Sequence, residues 1–261
     1  MVRTVSLPLL NPSNGLILVG KQLLEIVAAG MYSNPLMIFR EYVQNSADSI
    51  DHALALELVS TQEAQIAITL KGDERSISVE DNGVGVPADE VHRTLLSLGA
   101  SLKNPNTSRG FRGIGRLGGL GYCDKLIFQT RSCALEPITT VIWDSVKIAE
   151  LLKQDEIVDI QEVIKQAVEV TQRYDDLNDT PSHFFRVKMI NVHRFHRDWL
   201  MDVKKIRAYL MQIAPVPYEI SHFSFADKIT QHLSALSNYR CYDIRLNGEK
   251  ILRPYRNTVV I

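Results

Sequence analysis

The chain has 261 residues, 45% hydrophobic and 23% charged, so it can bury a sizeable core as one large domain or as one domain and the start of another. Its net charge of -1 gives no footprint for nucleic acid or a membrane surface, and no apolar run reaches the ~20 residues of a membrane-spanning helix. Three cysteines without paired or zinc-type spacing indicate free thiols in a reducing compartment, and we expect the cytoplasm.

The first part of the chain predicts helices followed by a β-hairpin. A helical pattern covers residues 21–56, with a break near Pro35 and a long second helix from Leu36 to about Leu58. Two alternating segments, "AQIAITLKG" and "RSISVEDNG", surround a polar turn and predict an antiparallel hairpin. A loop, a short helix and the glycine-rich segment "SRGFRGIGRLGGLGYCDKL" follow.

The second part predicts strands and helices in alternation. "KLIFQTRS" and "ITTVIWD" predict strands before a helix, and residues 156–174 indicate helix through Gln166 and then a strand. "HFFRVKMINV" predicts a strand, and "DWLMDVKKIRAYLMQIA" predicts a helix that ends at Pro215. "CYDIRLNGEKILRPY" is a hairpin with an Asn-Gly turn. Because an isolated hairpin is marginally stable, we expect one domain over 1–230 and the start of a truncated second domain over 231–261.

Three polar side chains line up on the long predicted helix. Glu41, Asn45 and Asp48 have i, i+4, i+7 spacing, which places them on one face. By itself this stripe is most simply a solvated helix surface. However, apolar or small neighbours such as Tyr42 and Ile50 flank it, which favours a cleft.

A second polar feature follows the predicted hairpin. Asp81 ends a strand, and Gly83 and Gly85 complete the pattern D-x-G-x-G. Glycines here let the backbone bend sharply and let a flat ligand approach, with Asp81 as an acceptor at the mouth of a pocket. A plain turn explains Asp-Asn-Gly equally well.

The third feature is the glycine-rich segment, which contains Gly110, Gly113, Gly115, Gly118, Gly119 and Gly121. So many glycines leave backbone N–H groups unobstructed, and nearby arginines add positive charge, so a phosphate is the natural ligand. The spacing fits neither a P-loop nor a Rossmann fingerprint. A flexible surface loop is the alternative, but the embedded apolar residues argue against a simple linker.

Together, E-x-x-x-N-x-x-D on a helix, D-x-G-x-G after a strand and a glycine-rich lid resemble the GHKL superfamily of ATPases, which includes gyrase, heat-shock protein 90 chaperones, histidine kinases and MutL. "FREYVQNSADSID", "IGRLGGLGY" and the strand and helix over "HFFRVKMINVHRFHRDWLMDVKKIRAYLMQIAPVPYEI" are most similar to the heat-shock protein 90 branch. The likeness covers about residues 15–225. It implies the Bergerat fold, an α+β two-layer sandwich with helices on one face of a mixed, mostly antiparallel sheet, and ATP with Mg²⁺ between the helices and the lid.

The resemblance also implies roles for individual residues. Asn45 would bind Mg²⁺, and Glu41 would orient and deprotonate the attacking water. Asp81 would accept a hydrogen bond from the exocyclic amine of adenine. The other expected contacts of base and sugar are Asp48, Gly83 and Gly85.

At the phosphates, the resemblance implies contacts from Lys103, Gly113, Gly115, Gly118, Gly119 and Gly121. The chain departs from the family here, because the last glycine is shifted by one position and the lid between Lys103 and Gly113 is short. The family places a threonine beside the adenine, and Thr180, Ser182 and His183 compete for that position.

The implied activity is slow, Mg²⁺-dependent ATP hydrolysis that drives a conformational switch in a chaperone-like protein. We expect a homodimer formed through C-terminal parts missing from this chain, with a protein client as a further partner and neither a membrane nor a nucleic acid indicated. Two alternatives stay open, a MutL-like ATPase of DNA repair or remodelling and a module that binds nucleotide without hydrolysing it.

Overall fold

The computed structural model describes residues 2–4, 32–96, 115–154, 160–174, 180–220, 225–236 and 239–254. The strands in these ranges are β1 (Val2–Thr4), β2 (Gln65–Lys71), β3 (Ser76–Asp81), β4 (Cys123–Arg131), β5 (Ile138–Asp144), β6 (Val168–Arg173), β7 (Phe184–Val192), β8 (Asp243–Leu246) and β9 (Glu249–Lys250). The α-helices are α1 (Met37–Ala55), α2 (Ser145–Leu152), α3 (Ile160–Ala167), α4 (Val203–Ile213) and α5 (Ala226–Ser234). Single turns of 3-10 helix span Gly115–Leu117, Leu120–Tyr122 and Trp199–Met201, and a π-helical turn spans His92–Leu96.

The nine strands form one sheet in the order β1-β6-β5-β4-β7-β3-β2-β8-β9. Neighbouring strands are antiparallel except β2 and β8, which are parallel. Along β4, buried Leu126 and Phe128 alternate with half-exposed Ile127 and Gln129, as expected where one face packs on helices and the other meets solvent. The predicted α+β two-layer sandwich with a mixed, mostly antiparallel sheet is confirmed.

Helix α1 supplies much of the layer that covers the sheet. The helix begins shortly after Pro35, and the Leu36 N–H donates to Asn34 Oδ1 at 3.0 Å. Its buried side is the apolar set Ile38, Phe39, Tyr42, Val43, Ala47, Ile50 and Ala53, which recurs with helical spacing. Burial of one large apolar side chain, such as that of Phe39, stabilises the fold by about 1.5–3 kcal/mol. The buried side therefore fixes the position of α1 and of the polar stripe that the helix carries. The helix was predicted correctly, apart from its last residues, whereas the predicted helix before it lies outside the described residues.

The segment 156–174 divides as predicted, into α3 and then β6. The long helix predicted from residue 198 is instead divided into a 3-10 turn and α4. The backbone of Asp202 is extended, and its carboxylate caps α4 by accepting the Lys205 N–H at 3.0 Å. None of the helices that the structure describes is long and apolar enough to cross a membrane.

The C-terminal hairpin is joined to this sheet. Asn247 and Gly248 have positive φ angles of 50° and 83°, as a tight Asn-Gly turn requires. Ahead of β8, the hydroxyl of Tyr242 and the guanidinium of Arg240 both donate to Asp51 Oδ1 on α1, each at 2.7 Å. The division of the chain at residue 230 stays a prediction, and the structure adds that the hairpin lies along the edge formed by β2.

Candidate functional site

The polar stripe of α1 lies in a half-buried position. Glu41, Asn45 and Asp48 are each partly shielded from solvent, and buried Tyr42 and Ser46 lie between them. The stripe is therefore neither fully solvated nor fully buried, and the cleft that its apolar flanks predicted stays a prediction.

Beside this stripe, Asp81 ends β3 in an almost completely buried position, 2% exposed. Its Oδ1 accepts the Gly83 N–H at 3.0 Å, and the hydroxyls of Ser46 and Ser49 on α1 also hydrogen-bond to it. Burial raises the pKa of Asp81 to about 7, because desolvation of the charged form outweighs these hydrogen bonds. A buried carboxyl group is thus held directly against α1.

The two glycines of D-x-G-x-G allow this loop to pack closely. A Cβ on Gly83 would lie 2.1 Å from Ser49 Oγ, and a Cβ on Gly85 would lie 2.1 Å from the carbonyl oxygen of Arg131. Gly85 also has a φ of +63°, which disfavours any side chain. The close contact between loop and protein explains both glycines, whereas their predicted contact with a base stays a prediction.

Among the three residues that competed for a place beside the base, His183 contacts this loop. Its Nδ1 lies 2.8 Å from the Gly83 carbonyl oxygen, so Nδ1 carries the proton and donates. Thr130 on β4 connects this loop to β7, since its hydroxyl accepts the Val86 N–H at 2.7 Å and donates to the Phe184 carbonyl at 3.2 Å. Sequence reasoning missed Thr130, because a threonine within a strand carries no pattern of its own.

The end of the glycine-rich segment packs against α1 at the other side. The Gly118 N–H donates to the Gly115 carbonyl at 3.0 Å, and the Gly119 N–H donates to the Tyr42 hydroxyl at 3.0 Å. A Cβ on Gly118 would lie 2.8 Å from the ring of Tyr32, and one on Gly119 would lie 2.5 Å from the Tyr42 oxygen. In this arrangement, both N–H groups are bonded within the protein, and the two glycines permit close packing.

The structure describes only some of the remaining residues that were predicted to contact the phosphates. Gly121 lies in the second 3-10 turn, while Lys103 and Gly113 lie outside the described residues. Arg116 follows Gly115, and burial lowers the pKa of its guanidinium to about 10, which leaves it positively charged at neutral pH. This end of the site therefore carries positive charge next to α1.

Glu41 lies directly against Gly115, the first residue of the glycine-rich segment that the structure describes. A Cβ on Gly115 would be 2.2 Å from Glu41 Oε2 and 3.0 Å from its carboxyl carbon. Glu41 thus meets the glycine-rich segment, while Ser49, two turns further along the same helix, meets the loop after β3. The helix joins the two regions that the sequence motifs singled out.

Comparison with known proteins agrees with this geometry. Residues 34–175, more than half of the chain, match the family described as histidine kinase-, DNA gyrase B- and HSP90-like ATPase. The chain is 27% identical over 158 residues to the chaperone protein HtpG of Shigella dysenteriae serotype 1 (strain Sd197) and to that of Escherichia coli strain K12. These matches cover 52% of the chain but 25% of each relative. The chain therefore belongs to the histidine kinase-, DNA gyrase B- and HSP90-like ATPase family.

Proposed function

We propose that this chain binds ATP along α1 and hydrolyses it slowly, with the base at Asp81 and the phosphates at Glu41. The observation that carries the proposal is that one helix contacts both motif regions, through Glu41 at Gly115 and through Ser49 at Gly83. These contacts are eight residues apart, or about 12 Å along the helix axis. That separation is on the scale of a nucleoside triphosphate laid along the helix.

The base would be selected by the buried carboxyl group of Asp81. Because the Gly83 N–H occupies Oδ1, the other carboxyl oxygen can accept from the exocyclic amine of adenine. Guanine has a carbonyl at that position, which offers no proton to the carboxylate, so ATP would be preferred to GTP. Ser46 and Ser49 hold the carboxyl group in place for this contact.

The phosphate end has the donor types that Mg²⁺ and a triphosphate require. The amide oxygen of Asn45 is a hard ligand on the same helix face as Glu41, and Mg²⁺ commonly takes few protein ligands and fills its other positions with phosphate oxygens and water. When bound, the metal would neutralise phosphate charge. Glu41 would orient the attacking water and accept its proton, and Arg116 would add positive charge nearby.

In the whole protein, we propose that this domain is the nucleotide-driven switch of a cytoplasmic, chaperone-like homodimer that acts on protein clients. The support is the similarity to the HtpG chaperones, of whose length the chain spans about a quarter. The described chemistry offers no separate support for a DNA-repair role.

Calorimetry with ATP, ADP and GTP in the presence of Mg²⁺, combined with phosphate release, tests the proposed function. Glu41→Ala should bind ATP with nearly unchanged affinity and lose at least about 100-fold in hydrolysis, since the general base is gone. Glu150→Ala, which removes an exposed glutamate from α2, is the matched control and should match the wild type. Wild-type protein that binds ATP without releasing phosphate would instead identify a binding-only module.

A further inference from the structure

We infer that Gly115 is a positioning residue whose missing side chain sets the place of the Glu41 carboxylate. The inference rests on the proposed function, in which Glu41 activates the attacking water. It differs from the expectation that Gly115 serves the phosphates through its backbone N–H. The carboxylate would be located by steric contact with Gly115, and the hydrolysis rate would depend on that contact.

The contact geometry is specific to the end of the Glu41 side chain. A Cβ on Gly115 would lie 2.2 Å from Oε2, 3.0 Å from the carboxyl carbon and 3.4 Å from Cγ. Real Cβ atoms essentially never approach another atom to less than 3.0 Å. The distance to Oε2 is well below this limit and the distance to the carboxyl carbon is at it, so the clash is with the carboxyl group itself. The φ angle of Gly115 lies outside the left-handed region, so the backbone at this position would accept alanine without strain.

From Gly115 onward, the backbone of the glycine-rich segment is anchored, which limits how far it can withdraw from an added methyl group. Leu117 is fully buried, the Gly118 N–H bonds to the Gly115 carbonyl, and the Gly119 N–H bonds to the hydroxyl of Tyr42. Tyr42 is itself buried beside Glu41 on α1, and a shift of Gly119 would press on Leu126 and Met189. These anchors follow Gly115 within four residues, so they limit the movement of the main chain on its C-terminal side.

On the opposite side of the contact, α1 is fixed by its buried apolar face, but the Glu41 carboxyl group terminates a flexible side chain. It is therefore the group that moves when space is removed. A displacement of about 1 Å at a catalytic group can cost on the order of 100-fold in rate, while a rotation about side-chain bonds costs folding little. Alanine at position 115 would thus leave the fold stable but slow the hydrolysis of ATP.

The test is Gly115→Ala, with Gly72→Ala as the matched control because a Cβ there meets no atom within 4 Å. We expect Gly115→Ala to keep its melting temperature within a few degrees and its affinity for ATP within about threefold, but to hydrolyse ATP at least about tenfold more slowly. A crystal structure of the ligand-free variant should show the Glu41 carboxylate moved by about 1 Å, with residues 116–122 unchanged. Gly72→Ala should change none of these.

The inference is overturned if Gly115→Ala leaves the carboxylate in place, or if the carboxylate moves without any loss of rate. Where hydrolysis is too slow to measure, the position of the carboxylate decides. Failure of the proposed function gives a different result, because Glu41→Ala would then hydrolyse ATP as fast as the wild type. A large loss in Glu41→Ala with none in Gly115→Ala rejects the role of Gly115 alone.

Discussion

The two ends of the candidate site are built in different ways. The proposed base end, around Asp81, joins three strand ends, and its groups hold one another through hydrogen bonds from Gly83 to Asp81, from His183 to Gly83 and from Val86 to Thr130. The proposed phosphate end, around Glu41, consists in the described residues of one face of α1 and two 3-10 turns packed against it. We infer that the base end acts as a preformed socket that sets affinity, whereas the phosphate end holds groups whose exact placement sets rate.

The largest effect that this comparison predicts is at Asp81. Asp81→Asn should lower the affinity for ATP more than about 100-fold. The amide oxygen would still accept the Gly83 N–H, so the NH₂ group would face the exocyclic amine of adenine, donor against donor. Isothermal titration with ATP and Mg²⁺ measures the loss, and circular dichroism checks the fold. Retained affinity would show that Asp81 does not contact the base.

The second prediction concerns pH. The raised pKa of Asp81, about 7, means that the folded protein keeps this proton over a range where the unfolded chain, with an ordinary pKa near 3.9, has lost it. The folded state therefore loses stability as pH rises from about 4 to 7, and the loss levels off above 7. Between pH 5.5 and 8 the free energy of unfolding should fall by about 2 kcal/mol from this group alone.

Urea unfolding without nucleotide measures this dependence. Because other groups also titrate in that range, the informative quantity is the difference between the wild type and Asp81→Asn at each pH. The variant should become relatively more stable as pH rises. A difference that stays constant from pH 5.5 to 8 would show that the carboxyl group is not held protonated by burial.

The smallest effect is expected at His183. Loss of the hydrogen bond to the Gly83 carbonyl in His183→Ala should weaken ATP binding about fivefold to tenfold, or about 1 kcal/mol, with an unchanged rate of hydrolysis at saturation. His183→Asn, whose amide can donate in place of Nδ1, should restore most of the affinity. Ser182→Ala, next to it and exposed, is the control. A fall in maximal rate with unchanged affinity would contradict the division between the two ends.

The sequence predicted most helices and strands correctly, because the spacing of apolar residues along a short segment is enough to distinguish a helix from a strand. The alternation in β2 and β3 and the helical spacing in α1 follow directly from which residues are buried. Asp81 could be placed because a strand that runs into Asp-Asn-Gly has to turn. The helix break at Asp202 was missed, since a short polar side chain within an amphipathic pattern can either continue or cap a helix.

Partners in space were harder to predict than elements. A run of glycines indicates close approach but does not identify what approaches, so the contacts of Gly118 with Tyr32 and of Gly119 with Tyr42 were not predicted, and the expected contacts of both glycines with phosphates stay a prediction. Likewise, nothing local in the tail hairpin indicates that β8 lies parallel to β2, which is some 180 residues away along the chain. The motif residues were located from sequence, but their neighbours required the fold.

The position of β8 has a practical consequence for shortened forms of the protein. This strand covers the backbone edge of β2, and the segment ahead of it supplies two of the hydrogen bonds to Asp51. A chain cut before residue 239 would present the N–H and C=O groups of β2 to solvent, and such bare edges pair readily with other molecules. Aggregation of a form shortened in this way would therefore reflect a missing edge strand and would say nothing about the nucleotide.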